Sequence, residues 1–123
     1  MAITGIDHVQ VAAPADCEDA ARAFYGALLG LEEIAKPPRL AARGGVWFRV
    51  GAQQLHIGVA AQFRPAAKAH PALRVSSREA LAQLAARLEQ QGIEVSWADA
   101  EEIPGSLRWY VHDPWGNRIE LLV

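Results

Sequence analysis

Arg108-Trp109-Tyr110-Val111-His112-Asp113-Pro114-Trp115-Gly116-Asn117-Arg118-Ile119-Glu120-Leu121-Leu122-Val123 closes the chain and reads as a β-hairpin. Two runs rich in aromatic and β-branched residues flank Asp113 to Asn117, a stretch with strong turn chemistry. In the second run Ile119, Leu121 and Val123 alternate with Arg118, Glu120 and Leu122. One strand face is therefore apolar, and the other carries a carboxylate at its middle. Such a Glu is either a solvated outer-face residue or a group aimed into a cavity. The rest of the chain decides between these.

Along the chain the same order of elements occurs twice. Ile3 to Ala13 alternates as a half-buried strand, with Ile6, His8, Gln10 and Ala12 on one parity. Pro14 ends it, and Asp16 is placed to cap a helix that runs through Ala20, Ala21, Phe24, Tyr25, Leu28 and Leu29 until Gly30 stops it. Leu31 to Ala35 is a short strand, and Lys36 to Arg39, with its two prolines, is a loop or extended segment. Val46 to Val50 and Gln54 to Val59 are strands joined by a turn at Gly51-Ala52. After an aperiodic stretch at 60–68, Ala69 to Ser76 is a strand and Ser76 with Glu79 forms a capping box. A helix carrying Leu81, Leu84, Ala85 and Leu88 ends at Gly92, Ile93 to Trp97 is a strand, and the closing hairpin follows.

Positions confirm the repetition. His8 and His70, Gly30 and Gly92, and Trp47 and Trp109 are each 62 residues apart, while His56 and Glu120 are 64 apart. A two-residue insertion in the second hairpin turn accounts for the change, since insertions are tolerated in turns. The expected architecture is α+β. Two tandem βαβββ modules, 1–59 and 69–123 with a linker at 60–68, form a cupped mixed sheet with helices on the outer face.

Composition excludes several classes. With 51% apolar and 21% charged residues the chain is globular rather than disordered. A formal net charge of −2 gives no electrostatic case for nucleic acid or an anionic membrane. No apolar run approaches the ~20 residues of a membrane span, and no secretory signal is visible. Cys17 is the one cysteine, so no intrachain disulfide can form and a cytoplasmic location is expected. It falls in the first turn of the first helix, where the dipole lowers a thiol pKa, but without a visible base it reads as a small helix-face residue.

The repeat puts His8 and His70 at one equivalent position, and His56 and Glu120 at another, each opposite the apolar strand face. Three imidazoles and a carboxylate converging there make a site for Zn, Fe, Mn, Co or Ni, and few oxygen ligands argue against Ca or Mg. Around them, Arg74 shares a strand face with His70. Trp47 with Arg49, and Arg108 with Tyr110, alternate with apolar neighbours, and their facing is left open by the sequence. Cationic and aromatic walls favour a small, anionic, partly apolar ligand.

With Asp7-His8-Val9 on the first strand, Phe24-Tyr25 and Leu29-Gly30-Leu31 at the helix end, and Asp113-Pro114-Trp115-Gly116-Asn117 before Arg118-Ile119-Glu120, the chain resembles the vicinal oxygen chelate superfamily. This is the glyoxalase, bleomycin-resistance and extradiol-dioxygenase group. The resemblance implies metal ligands on the first and last strands of each module, and His8, His70 and Glu120 match the frequent ligand types. The fourth place is commonly Glu in glyoxalase I and here is His56, which speaks against methylglyoxal–glutathione isomerisation. The resemblance also implies a homodimer in which His8 and His56 of one chain face His70 and Glu120 of its partner.

Two functional expectations follow. The first is a divalent-metal-dependent enzyme, a lyase, isomerase, thiol transferase or dioxygenase. His8, His56, His70 and Glu120 would be its ligands, any acid–base role would fall to Glu120, and Arg74, Trp47, Arg49, Tyr110 and Arg108 would surround a small oxygen-rich substrate. The second is a metal-free binding or sequestering protein of bleomycin-resistance type. A purely structural dimerisation module is disfavoured by the four polar positions.

Overall fold

The computed structural model describes all 123 residues, and the chain separates into two compact units, Met1–Pro65 and Ala66–Val123. Each holds one four-stranded mixed sheet in the order of a βαβββ module, an α+β arrangement.

The first unit contains β1 (His8–Ala13), β2 (Glu32–Ile34), β3 (Val46–Val50) and β4 (Gln53–Val59), with β1 parallel to β4 and the other pairs antiparallel. Between β1 and β2 runs α1 (Glu18–Ala21), which continues as a π-helix through Arg22–Leu28. Its Ala21, Phe24 and Tyr25 are buried together with Val46, Phe48, Leu55 and Ile57. Tyr25 meets Phe24 edge-on and lies tilted against Phe48, so aromatic geometry locks helix to sheet. Each such side chain contributes about 1.5–3 kcal/mol through burial.

The second unit contains β5 (Ala72–Arg74), α3 (Arg78–Gln90), β6 (Ser96–Trp97), β7 (Arg108–His112) and β8 (Arg118–Leu122). Sheet order is β5-β8-β7-β6, with β5 parallel to β8. Leu81, Ala85 and Leu88 at helical spacing are buried with Trp109, Val111, Ile119 and Leu121. The indole N–H of Trp109 donates to the Leu81 carbonyl at 3.1 Å, satisfying its polar atom inside the core. The β7–β8 turn is built as the sequence suggested. The Asp113 carboxylate accepts from the N–H groups of Trp115 and Asn117 and from the Asn117 amide. No helix is long and apolar enough to cross a membrane.

Several local expectations are corrected. Asp16 does not cap the helix; it takes a left-handed turn (φ 62°), and Cys17 is the N-cap residue, its thiol turned to Glu18 rather than to a backbone N–H of the first turn. Helix α3 is capped by Ser77, whose Oγ accepts the Ala80 N–H at 3.1 Å, and Glu79 accepts from Gln83 instead. Residues 38–41 form a short helix, α2 (Pro38–Ala41), because a proline at the first helical position loses no hydrogen bond. Strand β1 begins only at His8, where it first meets β4 through Gln54. Strand β5 shrinks to the three residues that face Glu120–Leu122, Pro71 having no N–H to pair.

The repeat also needs one correction. Trp47 faces His56, whereas Tyr110, not Trp109, faces Glu120. Ile34 and Ser96 in turn face Trp47 and Tyr110. Tyr110 is therefore the counterpart of Trp47, and Trp109, fully buried on the apolar face, is the counterpart of Val46. One extra residue lies before β7 and one in the hairpin turn, rather than both in the turn. The same registers put Trp47 and Arg49 on the face of His56, and Arg108 and Tyr110 on the face of Glu120.

Candidate functional site

Each unit presents the polar face of its sheet, opposite the face its helix covers. The two faces differ in chemistry.

In the first unit, His56 is the middle of a stack. The Trp47 indole lies parallel to it at 3.7 Å between centroids, and His8 stacks on it at 4.3 Å. Strand pairing causes this, because Trp47 and Gln10 both stand opposite His56 and His8 is two residues along β1. Nε2 of His56 donates to the Gln54 side-chain oxygen at 2.8 Å. Burial in the stack, with the neighbouring His8 second, pushes the His56 pKa below the ordinary imidazole value, so the ring is neutral at pH 7. His8 is more exposed, and its Nδ1 lies 2.8 Å from the Asp7 carboxylate, which leaves Nε2 as the free nitrogen. Arg49 is exposed and pairs with Glu32 at 3.3 Å.

In the second unit, Glu120 is the hub of a charged cluster. Its Oε1 lies 2.8 Å from His70 Nε2 and its Oε2 accepts from Arg108 at 3.3 Å. Arg108, itself buried, also donates to the Tyr110 hydroxyl at 2.8 Å and to Glu102 at 3.1 Å. Burial alone would raise the Glu120 pKa, but the His70 and Arg108 hydrogen bonds outweigh it and hold the group below the ordinary carboxylate value. Glu120 is thus an anion at pH 7 rather than a general base poised near neutrality. The Arg118 guanidinium lies over the Tyr110 ring at 4.5 Å, and its buried Nε has no hydrogen-bond partner. Arg74 shares the face but is exposed and joins none of these contacts.

His70 decides how the cluster is read. Its Nδ1 donates to the Lys68 carbonyl at 2.8 Å, so the other nitrogen of a neutral ring carries a lone pair. Arg118 Nη2 lies 3.4 Å from the same Nδ1, too long to displace that bond. Nε2 then meets the Glu120 carboxylate, an acceptor facing an acceptor. Either a proton or a cation must lie between them. The 2.8 Å separation is that of an ordinary N–H···O hydrogen bond.

By donor type and by their outer contacts, three of these side chains suit a divalent metal. His8, His70 and Glu120 each have their second polar atom tied to an outer partner, Asp7, the Lys68 carbonyl and Arg108 respectively, the support that ligating side chains use. His56 differs. Its ring and that of His8 lie within 15° of parallel, and a ring nitrogen's lone pair lies in its own ring plane. One ion about 2.1 Å from each nitrogen cannot lie in both planes. No three His, Cys, Asp or Glu side chains converge within the chain on a point that could hold a metal. The outer partners other than Asp7, and the Glu102–Arg108–Glu120 linkage, carried no signal in the sequence. Arg108 and Glu120 fall on separate strands whose register the sequence leaves open.

A family model described as Glyoxalase/Bleomycin resistance protein/Dioxygenase superfamily matches residues 5–121. The chain belongs to this superfamily. A solved structure assigned to the glyoxalase family, from Bacillus anthracis, is 52% identical, covers 98% of this chain and 94% of its own, and superposes with a TM-score of 0.90. A glyoxalase family protein from Enterococcus faecalis is 26% identical over the whole of both chains, with a TM-score of 0.75. Lactoylglutathione lyase from Agrobacterium tumefaciens, 24% identical over 98% of this chain and 93% of its own, shares the glyoxalase fold with a TM-score of 0.74. No curated protein matches. Cys17, in contrast, has no place in the site. It is buried, and burial with the adjacent Glu18 carboxylate pushes its thiol up to about 11. The helix start does not activate it.

Proposed function

We propose that this glyoxalase-superfamily member is a divalent-metal-dependent enzyme acting on a small, oxygen-rich, anionic substrate. His8, His70 and Glu120 hold the metal, and His56 serves as a wall. The observation that carries this reading is the His70–Glu120 pair, whose nitrogen and oxygen lie 2.8 Å apart and can share a cation in place of a proton, while their far atoms are held by Lys68 and Arg108. A bound divalent ion supplies Lewis-acid polarisation of substrate oxygens.

The chain's own groups do the rest. Arg108 keeps Glu120 ionised and oriented. Asp7 and the Lys68 carbonyl fix the tautomers of His8 and His70. The Trp47–His56–His8 stack offers a flat apolar wall, and Arg118, lying over the Tyr110 ring, brings a cation to the face of Glu120. The two half-sets of donors lie in different modules. In this proposal they meet in a homodimer, the first module of one chain completing the second of its partner. Light scattering at micromolar concentration tests that pairing, and a monomer speaks against it.

Metal analysis of protein purified without chelator tests the enzyme reading. It predicts a bound transition metal, lost in Glu120→Ala. A metal-free wild type with no affinity for Zn, Mn, Fe, Co or Ni overturns it. A second reading, a metal-free binding protein, is favoured by the His70–Glu120 separation of 2.8 Å, at which a shared proton alone satisfies both groups. Stabilisation by an anionic apolar ligand, with none from added metal, would select it.

A further inference from the structure

The first unit carries a cleft that the donor set does not use. About 260 Å³ in volume, it is lined by Gln10, Lys36, Leu40, Arg43, Trp47 and Gly58, among others. Trp47 ties it to the open face, since the same indole stacks on His56. Gln10 stands two residues beyond His8 on β1, so the cleft continues the wall of the proposed site.

Its chemistry is one-sided. Lys36 and Arg43 bring two cations, and no Asp or Glu lines it. The Arg43 guanidinium has no hydrogen bond or ion pair. A neighbouring cleft of about 410 Å³ shares Lys36, Gly44 and Trp47 but is lined by Glu18 and Glu33. Those carboxylates repel an anion, so the smaller cleft is the one that selects it. The turn bearing Arg43 is held firmly. The Lys36 ammonium donates to the Gly44 carbonyl, and the Gly45 N–H donates to Glu18 at 2.7 Å, an acid held ionised chiefly by that bond. The Gln10 amide lies folded over Gly58, where a Cβ would come within 2.6 Å of it. Glycine there lets a hydrogen-bonding amide form one wall.

We infer that this cleft is a carboxylate subsite, in which Arg43 and Lys36 hold the anionic group of a planar ligand and Trp47 supports its flat body. This rests on the open face being the substrate wall and adds to it where the anion sits. A guanidinium and an ammonium around one carboxylate give charge-assisted hydrogen bonds. The volume suits one small ring or acyl group rather than a drug-sized molecule.

The test is a benzoate titration of chelator-treated protein followed by backbone amide NMR, with benzamide as the neutral isostere. The subsite predicts shifts centred on Arg43, Gly44 and Gly58, and binding of benzamide at least about tenfold weaker. Arg43→Gln should weaken benzoate about tenfold, whereas Arg78→Gln, which removes the same charge from the start of α3, should change nothing. Gly58→Ala should weaken benzoate by displacing Gln10. Equal binding of benzamide, shifts centred elsewhere, no benzoate binding, or an unaffected Arg43→Gln that remains folded overturns the inference. A Co²⁺ titration of the same sample separates the two proposals. Benzoate failing while Co²⁺ binds removes the subsite alone, and the reverse removes the metal reading alone.

Discussion

The two modules put His56 and Glu120 at the same point of the same strand register, and the neighbourhoods then diverge. His56 is clamped between two rings, neutral, with its Nε2 spent on Gln54. Glu120 is charged, buried, and bridged to Arg108 and His70. A duplicated backbone therefore conserves where a side chain points and leaves free what it meets. Trp47 against Tyr110 makes the same point: the indole closes a stack, while the phenol accepts from Arg108 and lies under Arg118.

The largest expected difference between the modules lies at the tryptophans. If Trp109 belongs to the core and Trp47 to the open face, Trp109→Ala should cost about 4 kcal/mol of unfolding free energy in urea, and Trp47→Ala much less. Equal losses would restore the simple 62-residue pairing. Next comes the charged hub. Glu120→Gln keeps shape and removes the charge facing Arg108 and His70, with an expected loss of about 2 kcal/mol. His56→Gln, which removes no charge, should cost less in the same urea series.

Acid titration sharpens the contrast. Both groups have lowered folded-state pKa values, so the unfolded chain binds protons more readily than the folded one. The His56 contribution is fully present above the ordinary imidazole value and is lost as pH falls below it. The Glu120 contribution is present above the ordinary carboxylate value and is lost only in stronger acid. Stability measured from pH 7.5 downward should thus fall in two steps, with the first absent in His56→Gln and the second reduced in Glu120→Gln. The smallest effect is alkaline. Cys17 is raised to about 11, so the folded thiol keeps its proton above the unfolded value and stability declines from about pH 9 upward. Cys17→Ala should flatten that slope, and native Cys17 should react with thiol reagents only as fast as the chain opens.

Periodicity and repetition carried the module order, the helix stops and the facing of His8, His70, His56 and Glu120. They carry that much because alternation reports which face is buried, and a repeat ties two readings together. Register between Trp109 and Glu120 was not legible, because one extra residue outside the hairpin turn shifts every facing on β7. The caps were misplaced by a residue for a similar reason: Asp16, Ser76 and Ser77 are chemically equivalent candidates, and only backbone geometry chooses. The Arg108–Glu120 and Lys68–His70 contacts depended on that register and on a backbone carbonyl that no sequence pattern marks. The stack that engages His56 was hidden likewise, since His, Trp and His on three strands read equally as ligands or as walls.

In the proposed site the equivalent positions do different work, Glu120 as donor and His56 as wall. Co²⁺ titration of the wild type, Glu120→Ala, His8→Ala and His56→Ala, followed by visible absorption and calorimetry, tests it most directly. The account predicts that Glu120→Ala and His8→Ala weaken Co²⁺ at least about tenfold while His56→Ala stays close to wild type. Loss of Co²⁺ affinity in His56→Ala as severe as in Glu120→Ala, or a wild type that binds none, would contradict it.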